Sequence, residues 1–170
     1  MTKFDDAHSE IMQLTREHRF DEAIRKCEEH LLTWPTTERH DAFHNLAYVR
    51  YVSGDLPAAL AAISDAISLS PSYAGHRHAR ARWALELQDY DTAESDATEL
   101  LSIEKNRRSI AFVNSALVMR AFALAKQGKP GDALKDLERV NDEGPFRICR
   151  TLWMKWQLVA LATSALRERK

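Results

Sequence analysis

The apolar positions of residues 42–73, AFHNLAYVRYVSGDLPAALAAISDAISLSPSY, fall into two stripes of helical spacing with a break between them. Phe43, Leu46 and Ala47 recur at the three- and four-residue intervals of one helix face. Gly54-Asp55 interrupts the run, and Pro57 opens a second helix at a place where a missing amide is harmless. Ala59, Ile63, Ala66 and Ile67 then form a second stripe, which Pro71 closes. The stretch predicts two short amphipathic helices joined by a tight turn, and its spacing echoes on both sides of it.

The echo is anchored on one short motif. It reads Phe20-Asp21-Glu22-Ala23, Leu56-Pro57-Ala58-Ala59, Tyr90-Asp91-Thr92-Ala93 and Pro130-Gly131-Asp132-Ala133, with the alanines 36, 34 and 40 residues apart. A small side chain at this point lets the second helix of a hairpin approach the first closely. Twelve residues after three of these alanines stand Pro35, Pro71 and Pro145, each expected to stop helix two, because proline cannot continue the hydrogen-bond ladder. The sequence EKNRRSIAFV at 104–113 carries about six residues beyond the repeat length. It predicts a longer loop or longer flanking helices. Residues 146–170 are expected to form one long helix, with Ile148, Leu152, Trp153, Trp156, Val159 and Ala160 giving an apolar surface that hides the end of the last repeat.

On these motifs the chain resembles the tetratricopeptide-repeat family, whose unit has a period of about 34 residues. The resemblance implies an all-α fold, a right-handed superhelix (α-solenoid) of helical hairpins in a single domain over 1–170. The repeats fall at about 4–37, 40–73, 74–107 and 114–145, with a capping helix at 146–170. The small residue of helix one is Ala47, Ala81 and Ala121 in the last three units. The first unit departs from the pattern with Ile11 at that place and His30 at the later alanine position, the third with Lys105 in place of proline, and the fourth with Pro130 at the aromatic position.

Register also groups the charges. Arg80 and Asp96 occupy positions of the third unit that the family packs against each other, and the fourth repeats them as Arg120 and Asp136. The first unit has Glu10 and Lys26 with the signs reversed, and the second has Leu46 and Ala62. Charges therefore occur in complementary pairs or not at all, which is what half-buried positions require, since an unpaired charge there costs several kcal/mol. Intra-repeat ion pairs are expected at Arg80–Asp96, Arg120–Asp136 and Glu10–Lys26.

The resemblance implies a concave groove lined by helix one, and there a partner-binding set of His8, His44, Tyr48, Tyr51, His78, Arg82 and Phe122. Aromatic residues and arginine dominate binding hot spots because they bury much area and keep a polar handle. Histidine recurs at the same position in three units, as His8, His44 and His78. With helices packed about 8–10 Å apart, the outer two are too distant to share a metal at ~2 Å bonds. His40, one turn before His44, leaves at most a two-histidine site, so no metal is expected.

Composition narrows the rest. A formal net charge of −1 gives no bulk field for nucleic acid or an anionic membrane, although residues 144–170 carry six Lys/Arg against one acid. No uncharged apolar run reaches the ~18 residues of a membrane helix. Cys27 and Cys149 match no metal or redox spacing and read as packed free thiols. Gly128-Lys129-Pro130-Gly131 is a turn rather than a phosphate loop, and neither a HExxH motif nor a nucleophile elbow occurs. The expected function is a non-catalytic, cytoplasmic module without cofactor that binds a peptide or protein segment in its groove. The alternatives are a dedicated escort or inhibitor (a secretion chaperone or toxin-neutralising protein) and a homo-oligomeric scaffold, in its simplest form a homodimer, using Trp153 and Trp156 as its face.

Overall fold

In the computed structural model, which describes residues 3–167 and side chains from residue 6 onward, four helical hairpins follow one another. They are α1 (Lys3–Arg16) with α2 (Phe20–Thr33), α3 (Arg39–Ser53) with α4 (Leu56–Leu69), α5 (Ala74–Glu86) with α6 (Tyr90–Arg107), and α7 (Val113–Lys126) with α8 (Pro130–Arg139). Two of the three expected proline stops hold: α2 ends at Thr33, two residues before Pro35, and α4 at Leu69, two before Pro71. α3 ends on Gly54 at φ +93°, a left-handed cap that glycine adopts without Cβ strain. The next residue, Asp55, starts α4 by accepting a 3.2 Å hydrogen bond from the Ala58 amide, and Asp89 does the same for Thr92 at α6. The four anchor alanines, Ala23, Ala59, Ala93 and Ala133, are fully buried, as close helix approach requires.

The additional residues before α7 lengthen α6 to Arg107 and are then folded back by Glu104. This buried carboxylate accepts hydrogen bonds from the Ser109 hydroxyl at 2.8 Å and the Phe112 amide at 3.0 Å. A charge that accepts two donors in place of water is satisfied where it sits.

The end of the chain corrects the expected capping helix at 146–170. Residues Phe146–Ile148 form strand β1, antiparallel to β2 (Thr151–Trp153) with Phe146 opposite Trp153, and helix begins only at α9 (Lys155–Arg167). Residues 168–170, included in the expected helix, lie outside the described residues. The two-residue turn places both Cys149 (φ +49°) and Arg150 (φ +61°) in the left-handed region, the geometry whose twist matches a tight hairpin. Gly144 (φ +103°) is needed as well, since a Cβ there would stand 3.0 Å from the Trp153 carbonyl oxygen. Pro145 accordingly does not stop helix two. α8 has already ended at Arg139, and Pro145 leads into β1. α9 packs on α7 and α8 through Leu158 and Ala162.

The chain divides into two compact units, Met1–His76 and Arg77–Lys170. The core of the first is built from Ile11, Ala23, Cys27, Val49, Ala59 and Ile63, and that of the second from Trp83, Leu100, Leu117, Leu137, Ile148 and Leu158. Among the described residues no helix is long and apolar enough to cross a membrane.

Candidate functional site

The repeated histidines reach along the chain to the helix one that follows. In the first unit His8 Nδ1 donates to Asn45 Oδ1 at 3.0 Å, and His44 Nδ1 meets His76 Nδ1 at 2.9 Å. In the second, His78 Nε2 and Ser115 Oγ share a hydrogen bond of 2.7 Å while the His78 ring lies 4.8 Å from that of Phe112. These side chains, expected to line a partner-binding groove, are engaged in polar links between successive hairpins. Burial holds His44 down to about 4, helped by the neighbouring His8 and His40, and holds His78 to about 4, helped by Arg82. Each is neutral at physiological pH.

His78 and Arg82 project from α5 into a cleft of about 240 Å³ in the second unit. Ser115, Val118 and Met119 of α7 form its opposite side, and Pro145, Phe146, Arg147 and Ile148 of the hairpin close it. The hairpin is held in place by α5: the Cys149 thiol donates to the Leu85 carbonyl at 3.3 Å, and Arg150 pairs with Glu86 at 2.9 Å. The cleft thus offers apolar walls, the guanidinium groups of Arg82 and Arg147, and the His78–Ser115 pair. Among the described residues no carboxylate lines it. A larger hollow of about 520 Å³ among α6, α7 and α8 is lined by charges that already answer one another, as in Lys129–Glu94 at 2.9 Å and Lys135–Asp132 at 2.7 Å.

Phe122 corrects the expected groove set. It is buried, with the Trp153 ring packed edge-on at 5.5 Å and the Lys126 ammonium 5.6 Å from its centroid. The hairpin that sequence periodicity concealed covers it. Trp153 and Trp156 also part company: Trp153 lies on Phe122, whereas Trp156 on α9 is 65% exposed. Tyr48 and Tyr51 sit half-buried on α3 of the first unit.

Both inward-facing arginines meet their acids. Asp96 is fully buried and accepts from Arg80 Nε at 2.6 Å and Nη2 at 2.8 Å. A third donor, Arg77 Nη1 at 2.9 Å, joins them, and register gave no sign of it. Arg120 grips Asp136 in the same fork at 2.7 and 2.6 Å and reaches Thr98 at 3.1 Å. The aspartate hydrogen bonds hold both guanidinium groups above their ordinary pKa, against the effect of burial. Glu10 and Lys26 approach to 3.3 Å on the surface, a pair of another kind because solvent screens it. Cys27 is fully buried, and burial pushes its thiol up to about 12, which keeps it protonated within the core.

No family model matches the chain, and no curated protein matches it. Solved structures do. A kinesin-light-chain-type protein of nearly identical TPR-like repeats from Podosopora anserina is 17% identical over 98% of this chain and 88% of its own, with a TM-score of 0.74. A tetratricopeptide repeat protein from Parabacteroides merdae is 16% identical over 97% of this chain and 60% of its own, with a TM-score of 0.76. The N-terminal domain of stress-induced protein-1 from C. elegans is 16% identical over 79% of this chain and 98% of its own, with a TM-score of 0.58. Hairpin helices of repeat length, the buried alanine at each anchor and these likenesses agree: the fold of this chain is that of the tetratricopeptide-repeat proteins.

Proposed function

We propose that the protein is a non-catalytic binding module that holds a short segment of another protein in the cleft of its second unit. The carrying observation is the cleft itself. Apolar walls from Val118, Met119 and Ile148 stand beside two guanidinium groups, Arg82 and Arg147, and among the described residues the lining contains no Asp or Glu. Such a surface suits a large apolar side chain next to a carboxylate, because the apolar group gains from leaving water and the carboxylate gains charge-assisted hydrogen bonds. Folds of this type generally serve as protein–protein interaction modules. The His78–Ser115 pair does not turn the cleft into a hydrolase. An imidazole held near 4 is a weak base at neutral pH, and no carboxylate in the cleft orients it. A reducing cytoplasm suits Cys27 and Cys149, both free thiols.

Peptides selected from a random library on the wild-type protein test this reading. They are expected to be enriched in Asp or Glu beside Leu, Phe or Met. Arg147→Ala alone and with Arg82→Ala should weaken them about tenfold or more at unchanged helicity. Equal affinity for wild-type and doubly substituted protein, or selection with no acidic enrichment, would overturn it.

A further inference from the structure

In the first unit, four potential metal-ligating side chains that play no part in the cleft converge at the start of two helices. His40, Asp41 and His44 lie in the opening turns of α3, and His76 lies in the first turn of α5. His76 is fully buried, and both of its ring nitrogens face other imidazoles: Nε2 is 3.1 Å from His40 Nδ1, and Nδ1 is 2.9 Å from His44 Nδ1. His40 Nδ1 also lies 3.3 Å from Asp41 Oδ1. One ligand atom from each of His40, Asp41 and His76 can be chosen so that all three lie within 4.8 Å of one another.

We propose that His40, Asp41 and His76 form a binding site for a divalent transition-metal ion, with Zn²⁺ the best match to the ligand set. Tetrahedral coordination at bond lengths of about 2.0–2.1 Å sets ligand atoms roughly 3.3 Å apart. The His40–His76 and His40–Asp41 separations already lie close to that edge. Two imidazoles and one carboxylate suit Zn²⁺ and its borderline neighbours, and exclude the all-oxygen preference of Mg²⁺ and Ca²⁺.

Without a cation, His40 Nδ1 faces two partners at once: as an N–H it serves Asp41 or His76, and as a lone pair it accepts from His76 but then opposes the Asp41 carboxylate. A cation bound at His40 Nδ1, His76 Nε2 and a carboxylate oxygen of Asp41 removes that competition. It leaves the Nδ1–H of His76 to donate to His44 Nδ1. His44 then acts as the outer partner that fixes the tautomer and ring orientation of a metal-bound histidine. The Tyr73 ring, 4.4 Å from that of His76 and 5.7 Å from that of His40, walls the site on one side. Gly75 makes room for that ring, since a Cβ there would meet Tyr73 Cε1 at 2.8 Å. His40 and Asp41 keep 18% and 30% of their side-chain surface, so a cation has an entry path and its fourth position faces water or a donor group of a partner. The ion would tie the start of α5 to the start of α3 across the turn at residues 70–73.

The test uses the full chain after chelator treatment and dialysis, with Zn²⁺ followed by calorimetry and Co²⁺ by absorption. Expected are one Zn²⁺ per chain, a rise in melting temperature on addition, and a Co²⁺ spectrum of four-coordinate type. His40→Ala and Asp41→Asn, both at half-buried positions, should each weaken Zn²⁺ at least about tenfold, and His44→Gln should do so about 10- to 100-fold as an outer-partner loss. Circular dichroism establishes that each variant is folded. Absence of one-to-one binding by the wild type overturns the proposal and leaves a metal-free imidazole network. So does binding of undiminished affinity in a folded His40→Ala, Asp41→Asn double variant, which would move the ion to another histidine. None of these outcomes depends on peptide binding in the second unit.

Discussion

Asp96→Ala is expected to destabilise the protein by about 3 kcal/mol, toward the lower end of the range for breaking a buried pair. Asp96 is fully buried and answers two guanidinium groups, Arg77 and Arg80, whose side chains keep only 17% and 23% of their surface. Removing the carboxylate leaves two half-buried positive charges facing each other without their shared acceptor. Partial solvent access to both guanidinium groups is what keeps the loss from the upper end. Urea denaturation followed by circular dichroism reads the change as a lower midpoint at unchanged slope. Glu10→Ala provides the contrast: with Glu10 and Lys26 at 52% and 38% side-chain exposure, it should cost about 0.5 kcal/mol or less. Equal losses for the two substitutions would mean that burial does not distinguish the pairs.

A second large effect is expected from Trp83→Ala, about 3–5 kcal/mol by the same measurement. Trp83 is the largest fully buried side chain of the described residues and stands on α5, one residue beyond the cleft arginine Arg82. Truncation opens a cavity that the helices around it can collapse into only in part. In a domain whose whole stability is of the order of 5–15 kcal/mol, either substitution removes a large share. A loss below about 1 kcal/mol at Trp83 would mean that the side chain is far less tightly packed than its burial implies.

The hairpins were legible in sequence because the apolar spacing of a helix and an anchor alanine coincide at each, with a glycine and a proline between the stripes of the second and fourth; the first and third turn instead on His18 and Gln88, at φ +58° and +59°. The Arg80–Asp96 and Arg120–Asp136 pairs were legible for a related reason. Repetition places their positions opposite each other, and burial demands that such charges match. What repetition does not cover was hidden. Phe146-Arg147-Ile148 and Thr151-Leu152-Trp153 are strands too short for alternation to stand out, and their apolar residues also fit a helical stripe. Once they pair, Trp153 covers Phe122 and the cleft acquires a wall that no single helix supplies.

The histidines show the same limit. Compared position by position, the outer two of His8, His44 and His78 are too far apart to share a metal. Their partners are off that ladder: Asn45, His76 and Ser115, each on the following helix one. Neither Arg77 nor His76 could be assigned from register, because each works through a contact made by a turn of helix that the repeat pattern leaves unspecified.

Most direct for the central claim is a titration of methyl-labelled protein with a library-selected acidic peptide, read by NMR. Binding in the second-unit cleft predicts saturable shifts concentrated at Val118, Met119 and Ile148, with the Leu60, Leu69 and Leu32 methyls of the first unit unmoved. Shifts that spare those three cleft residues and gather instead on α6, α8 or the exposed face of α9 around Val159 would contradict it.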